Sequence, residues 1–165
     1  RARLLRQKAI VSGIFSVLAL LLLPSVAFLA GSLWYGNGEL IRGTGETLSL
    51  PFGLLCLSGA VLYVAVHLSW VASLAFYPSV NTNAPLGAVG GAVLVSIFSQ
   101  ILDRVTALGD LRQYLPTHYS DAWLDLLSAE IEWTSVAYGA FSSLAYAMAF
   151  TLLALWRFCR KDITS

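Results

Sequence analysis

The chain has 165 residues, of which 58% are hydrophobic and only 12% charged, and its mean hydropathy is +0.74. A soluble domain carries about 25% charged residues, so the composition is that of an integral membrane protein. The formal net charge of +1 leaves no face with enough cation to follow a phosphate backbone, which excludes a nucleic-acid partner.

The sequence opens on RARLLRQK, with Arg1, Arg3, Arg6 and Lys8 ahead of the first apolar run. That run is too long for the h-region of a signal peptide, and a start at Arg1 rather than Met reads as a fragment or a processed product. Crossing the hydrocarbon takes about 20 helical residues, and four runs reach that length. The first, 8–34, contains LALLLLPSVAFLAG, and Pro24 is expected to kink it where neighbouring helices cover the freed carbonyl. A loop with Glu39, Arg42 and Glu46 follows. The second span, 51–77, takes Pro51 in its first turn. It carries His67, the one ionisable side chain well inside a predicted span, with Tyr63 a turn earlier and Ser69 and Trp70 close by. Ionisable groups in a membrane face a bundle interior or a watery cavity, because lipid exposure is costly. For His67 this leaves two readings, a place on a substrate path or a neutral imidazole hydrogen-bonded to a neighbouring helix.

After the short link YPSVNTNA comes the third span, 84–102. Its Gly87, Gly90 and Gly91 include the Gly87-x-x-x-Gly91 spacing that lets another backbone approach closely. The fourth span, 133–156, places Ser135, Tyr138, Ser142 and Tyr146 at intervals of three or four residues. Such a stripe either packs helix on helix or lines a path.

Residues 103–132, between the third and fourth spans, are too many for a simple turn and too polar to cross. Ala122, Trp123, Leu126 and Leu127 fall at helical spacing opposite Asp121 and Asp125, with Thr117 or Ser120 as N-cap and Pro116 blocking extension backward. Ile101–Leu108 gives an earlier helical piece closed by Gly109-Asp110. The expectation is a pair of short amphipathic helices at the outer interface, or a pair that dips in and returns. An enzymatic reading of the same stretch uses His118, Asp121 and Asp125. However, a zinc site wants three or four ligands and the only other histidine is His67. Ser120 is also too close in sequence to His118 for a good nucleophile–base pair.

Seven of the ten basic residues lie at the two ends of the chain, whereas 103–132 sets Arg104 and Arg112 against six acids. The positive-inside rule then puts both termini in the cytoplasm. Trp34, Tyr35, Tyr77, Trp133 and Trp156 fall at span ends, as interfacial anchors do. Cys56, in an apolar run, and Cys159, among basic residues, read as unpaired thiols. No Walker motif occurs, and no acid pair inside a span suggests proton coupling.

RARLLRQK, FYPSVNTNAPLGAVGGA, SQILDRVTALGDLRQYLPTHYSDAW and the tail ALWRFCRKDITS together resemble the C-terminal four spans of a type-2 ATP-binding-cassette exporter permease of the bacterial multidrug type. The aromatic-basic-Asp-Ile tail is the most telling, although the family often has Arg where Cys159 stands. The stretches cover nearly the whole chain, and none is a strict signature. The resemblance implies a transport subunit of the cell membrane, dimeric with itself or a second permease, and without catalytic residues, cofactor or metal of its own. ATP and Mg would be used by a separate cytosolic ATPase. It further implies ATPase contacts at Arg6, Lys8, Asn81, Thr82 and Asn83, and an outer gate at Pro116, His118, Asp121 and Trp123. The translocation path would run by Tyr63, His67, Trp70, Ser142 and Tyr146. Family members carry two further spans and an N-terminal cytoplasmic helix, which this sequence lacks. A non-transporting four-span scaffold is the alternative from another class.

Overall fold

The structure is a computed structural model that describes residues 2–36, 40–41, 47–79, 85–128 and 130–160. In chain order these form α1 (Ala2–Tyr35), β1 (Leu40–Ile41), β2 (Thr47–Leu48), α2 (Leu50–Ser79), α3 (Pro85–Asp103), 3-10 helices at Thr106–Tyr114 and Asp125–Leu127, and α4 (Trp133–Arg160). Four helices hold stretches apolar enough to cross a membrane, at Gly13–Trp34, Leu50–Ser79, Leu86–Asp103 and Trp133–Arg157. The protein is therefore an all-α, multi-pass membrane protein, with one small antiparallel hairpin pairing Leu40 with Leu48 and Ile41 with Thr47.

Local chemistry sets the helix ends. The Ser49 carbonyl accepts from Gly53 N–H at 3.0 Å to open α2, while Ser79 Oγ donates to Phe76 O at 2.8 Å and occupies a last-turn carbonyl. Pro85 begins α3, where its missing N–H is harmless. α1 runs as one helix through Pro24.

The bundle is built around α2. Its buried residues Gly53, Cys56, Ala60, Tyr63, Trp70 and Ser73 are spaced by three, four, three, seven and three, and the half-buried His67 fills the longest gap. This is the seam of a left-handed helix pair. The partner is α4, which runs parallel to α2: residues 76 apart meet where His67 bonds Ser143 and again where Tyr63 faces Gly139. At the far end Arg157 Nη1 donates to Tyr77 Oη at 2.7 Å and lies 5.8 Å from the ring centroid. Tyr77 is thus a clamp residue as well as a span-end aromatic. Trp34, Trp133 and Trp156 are well exposed, as expected of rings at the headgroup level.

α3 turns Ala88, Ala92 and Ser99 inward. Among the described residues of the chain nothing approaches the glycine face: Gly87 is exposed, and a Cβ at Gly90 or Gly91 would meet nothing within 4 Å. Alanine is small enough for the contact, so the glycines stay outside. The close approach occurs instead on α4, where a Cβ at Gly139 would overlap the Tyr63 hydroxyl and come within 2.7 Å of Tyr119 Cβ. α1 stands at the margin, with Leu20, Pro24, Phe28 and Gly31 half-buried along one stripe.

Candidate functional site

Residues 104–132 form the connector between α3 and α4, and its short helices are of the 3-10 type. The chain passes through 3-10 turns over Thr106–Tyr114 that break at Gly109 (φ 51°, ψ −130°), where the first helical piece is expected to close. A run of turns to Leu124 and the short 3-10 helix Asp125–Leu127 follow. Its main-chain bonds are of the three-residue type, such as His118 N–H to Leu115 O at 3.1 Å and Leu124 N–H to Asp121 O at 2.9 Å. Neither Thr117 nor Ser120 caps a helix. The apolar pattern nevertheless found its use, because Ala122 and Leu126 form a core with Tyr63, against which Tyr119, Trp123, Ile131, Val136 and Ala140 pack.

The connector is re-entrant. The Tyr63 hydroxyl donates to Tyr119 O at 2.6 Å, and Tyr63 lies near the middle of the 30-residue α2. The Tyr146 hydroxyl donates to Tyr114 O from near the middle of the 28-residue α4. At 1.5 Å of rise per residue, Tyr63 lies about 20 Å from the start of α2 and, opposite Gly139, about 9 Å from the start of α4, while Tyr146 lies about 20 Å from the start of α4. Main chain is tolerated at that depth only where protein or water satisfies it, and a sequence of 3-10 turns supplies that.

Around the buried end a belt of polar side chains closes on itself. Ser99 Oγ and Thr117 Oγ1 are 2.7 Å apart and buried. His118 Nδ1 lies 2.6 Å from Asp103 Oδ1, and Arg112 Nη1 donates to Asp103 O at 3.3 Å. One step further along the bundle, His67 Nδ1 is 3.0 Å from the fully buried Ser143 Oγ. The His67 ring stacks with Tyr63 at 6.2 Å and meets Trp70 edge-on at 6.4 Å.

The residues expected on a path therefore separate. Tyr63, His67 and Trp70 share one face of α2 and Tyr146 joins the belt, whereas Ser142 is half-buried and its neighbour Ser143 makes the contact with α2. Trp70 is buried to 1% exposure, and its Nε1 is the buried side-chain polar atom without a hydrogen-bond partner among the described residues. Of the expected gate, Pro116 sits half-buried in a turn and Trp123 packs on the Tyr63 core. Asp121 is exposed, with Ser120 Oγ donating to it at 3.4 Å. Of the residues in the enzymatic reading, His118 meets Asp103, fifteen residues earlier, because the turns bring the ring back to the end of α3. Among the described residues no group of three metal-binding side chains gathers. The side chains of Arg6 and Lys8, and all of Asn81, Thr82 and Asn83, lie outside the described residues.

Sequence reasoning missed Ser99, Asp103, Thr117 as a tertiary partner, Gly139 and Ser143. A serine or glycine in an apolar helix carries no periodic signal, and only its neighbours give it a role. Comparison with protein-family models, with curated proteins and with solved structures gave no match.

The hydroxyl pair gives a direct expectation. Thr117→Val keeps the shape and leaves Ser99 without its buried partner, which costs about 1–3 kcal/mol. Adding Ser99→Ala recovers part of that loss, because neither hydroxyl is then orphaned. Unfolding titrations of the two single variants and the double variant measure the coupling, and strict additivity would count against the pair.

Proposed function

We propose that the chain is the membrane-spanning permease subunit of an ATP-driven exporter. It works as a homodimer or heterodimer of permeases in the cell membrane, above a separate cytosolic ATPase that uses ATP and Mg. The observation that carries this reading is the connector, which brings polar main chain to the Tyr63 hydroxyl, one turn from His67 in an otherwise apolar bundle, with a histidine–carboxylate pair where it leaves α3. Polar groups inside a membrane are costly and mark substrate paths. With the basic ends in the cytoplasm, the connector enters from outside and serves as the outer gate through Pro116, His118, Asp121 and Trp123. Tyr63, His67, Trp70 and Tyr146 then lie beneath it along the path. The likeness of the loops and tail to type-2 exporter permeases supports the same reading and adds the ATPase contacts.

A four-span scaffold is the second reading, and one observation favours it: Tyr63, His67, Ser99, His118 and Tyr146 each have a hydrogen-bonding partner within the chain. Deleting the cognate ATPase in cells that depend on this chain for efflux is expected to abolish efflux. Efflux that continues unchanged sinks the permease reading. His67→Leu separates the two classes: a permease loses export while the protein still reaches the membrane, and a scaffold keeps its function.

A further inference from the structure

The attachments of the connector are of two kinds. Side chains on both partners tie it to α3, from which it descends: Ser99 to Thr117 and Asp103 to His118, with Arg112 reaching back to Asp103 O. Towards α2 and α4, among the described residues, two tyrosine hydroxyls donate to main-chain carbonyls, Tyr63 to Tyr119 O and Tyr146 to Tyr114 O. The Tyr119 carbonyl also accepts from Ala122 N–H at 3.2 Å, so it keeps a partner when Tyr63 lets go. α2 and α4 are meanwhile joined along their length, by Tyr63 against Gly139, His67 with Ser143 and Tyr77 with Arg157.

We propose that α3 and the connector form one body that parts from the α2–α4 pair, with the hydroxyls of Tyr63 and Tyr146 as its two catches. Among the described residues, parting along this line breaks two hydrogen bonds, lifts Ala122 and Leu126 from Tyr63, and slides the alanine face of α3 off α2. Separating the connector from α3 instead would orphan the buried Ser99 and Thr117 hydroxyls and split the Asp103–His118 pair. The purpose of the motion, opening the outer gate, rests on the permease reading; the line of parting rests on the contacts.

Cys56 reports the motion. It is buried on α2, one turn before Gly59, where a Cβ would lie 3.9 Å from Leu126 Cδ1. By the register of the two helices its level falls just before α4 begins. The connector is therefore its cover, and parting uncovers it.

The test uses the full chain in its native membrane with Cys159→Ser, so that Cys56 is the sole thiol, and measures its labelling by a water-soluble maleimide. Tyr63→Phe with Tyr146→Phe is expected to raise the rate about tenfold. Gly139→Ala, which drives the Tyr63 hydroxyl off its carbonyl, raises it too, whereas Ser99→Ala, inside the moving body, leaves it at the parent value. A Ser143→Cys reporter in a background without Cys56 and Cys159 separates parting from unfolding, because parting keeps α2 on α4 and the new thiol protected. The proposal is overturned by an unchanged Cys56 rate in both catch variants, by an equal rise in Ser99→Ala, or by simultaneous exposure of the Ser143→Cys thiol. None of these readouts involves transport or ATP, so their failure is distinct from failure of the permease reading.

Discussion

Trp70→Ala is expected to be the most damaging single substitution in the bundle, lowering stability by about 3–5 kcal/mol. The indole is buried to 1% exposure among helices that otherwise turn small residues inward, Ala88, Ala92, Ser143 and Ala154. Alanines cannot close over the space it leaves. Inside a membrane the helices gain little from the hydrophobic effect and are held by packing and hydrogen bonds, so a void falls on the main source of cohesion. Trp70→Phe should behave differently. It gives up part of the ring but removes the indole N–H, which has no partner among the described residues and whose burial costs about 1–3 kcal/mol. The two effects oppose each other and leave Trp70→Phe within about 1 kcal/mol of the parent. Reversible unfolding in mixed micelles measures both variants, and equal losses for alanine and phenylalanine would show that the N–H carries no penalty.

Gly139→Leu is expected to unseat the connector. A Cβ alone would overlap the Tyr63 hydroxyl and press on Tyr119, and three further carbons have nowhere to go. Overpacking costs about 1–3 kcal/mol, and the lost Tyr63–Tyr119 hydrogen bond adds about 1 kcal/mol. Gly91→Leu is the control, since a Cβ there meets nothing within 4 Å and the monomer in detergent should be unaffected. Thermal unfolding of the two variants decides whether the close approach is at Gly139. A larger loss for Gly91→Leu would restore the face marked by the glycine spacing.

These two substitutions also show where sequence reading stopped. The spans were legible because burial in lipid is a property of composition over about 20 residues, and the helices match the expected runs to within a few residues at most of their ends. The start of α1 lies earlier, at Ala2. The face each helix presents to its neighbours was not legible. A membrane helix is apolar on every side, so hydrophobic periodicity carries no information, and the contact surfaces are written in small residues instead. Gly87-x-x-x-Gly91 had the spacing and stayed exposed, while Gly139 and Ser143, a small-residue pair at the same interval, made the contact with α2.

The candidate site divides in the same way. His67 was identifiable as an oddity of charge in an apolar run, and its bond to a neighbouring helix matches one of its two readings. The pairing of His118 with Asp121 rested on helical spacing in a segment that is not an α-helix. Residues 115–124 are a run of turns and not a helix, so a spacing of three defines no shared face there, and the ring turns to Asp103 instead.

By itself the sequence determined the membrane class, the four spans and the presence of a polar segment before the last span, because each follows from the cost of placing a residue type in lipid. Only the tertiary structure decided that this segment descends between the helices. Its carbonyls at Tyr114 and Tyr119 find donors in Tyr146 and Tyr63, which lie 32 and 56 residues away. No local pattern encodes a hydrogen bond of that range. It exists because Gly139 leaves the space for it and Thr117 meets Ser99 at the same depth.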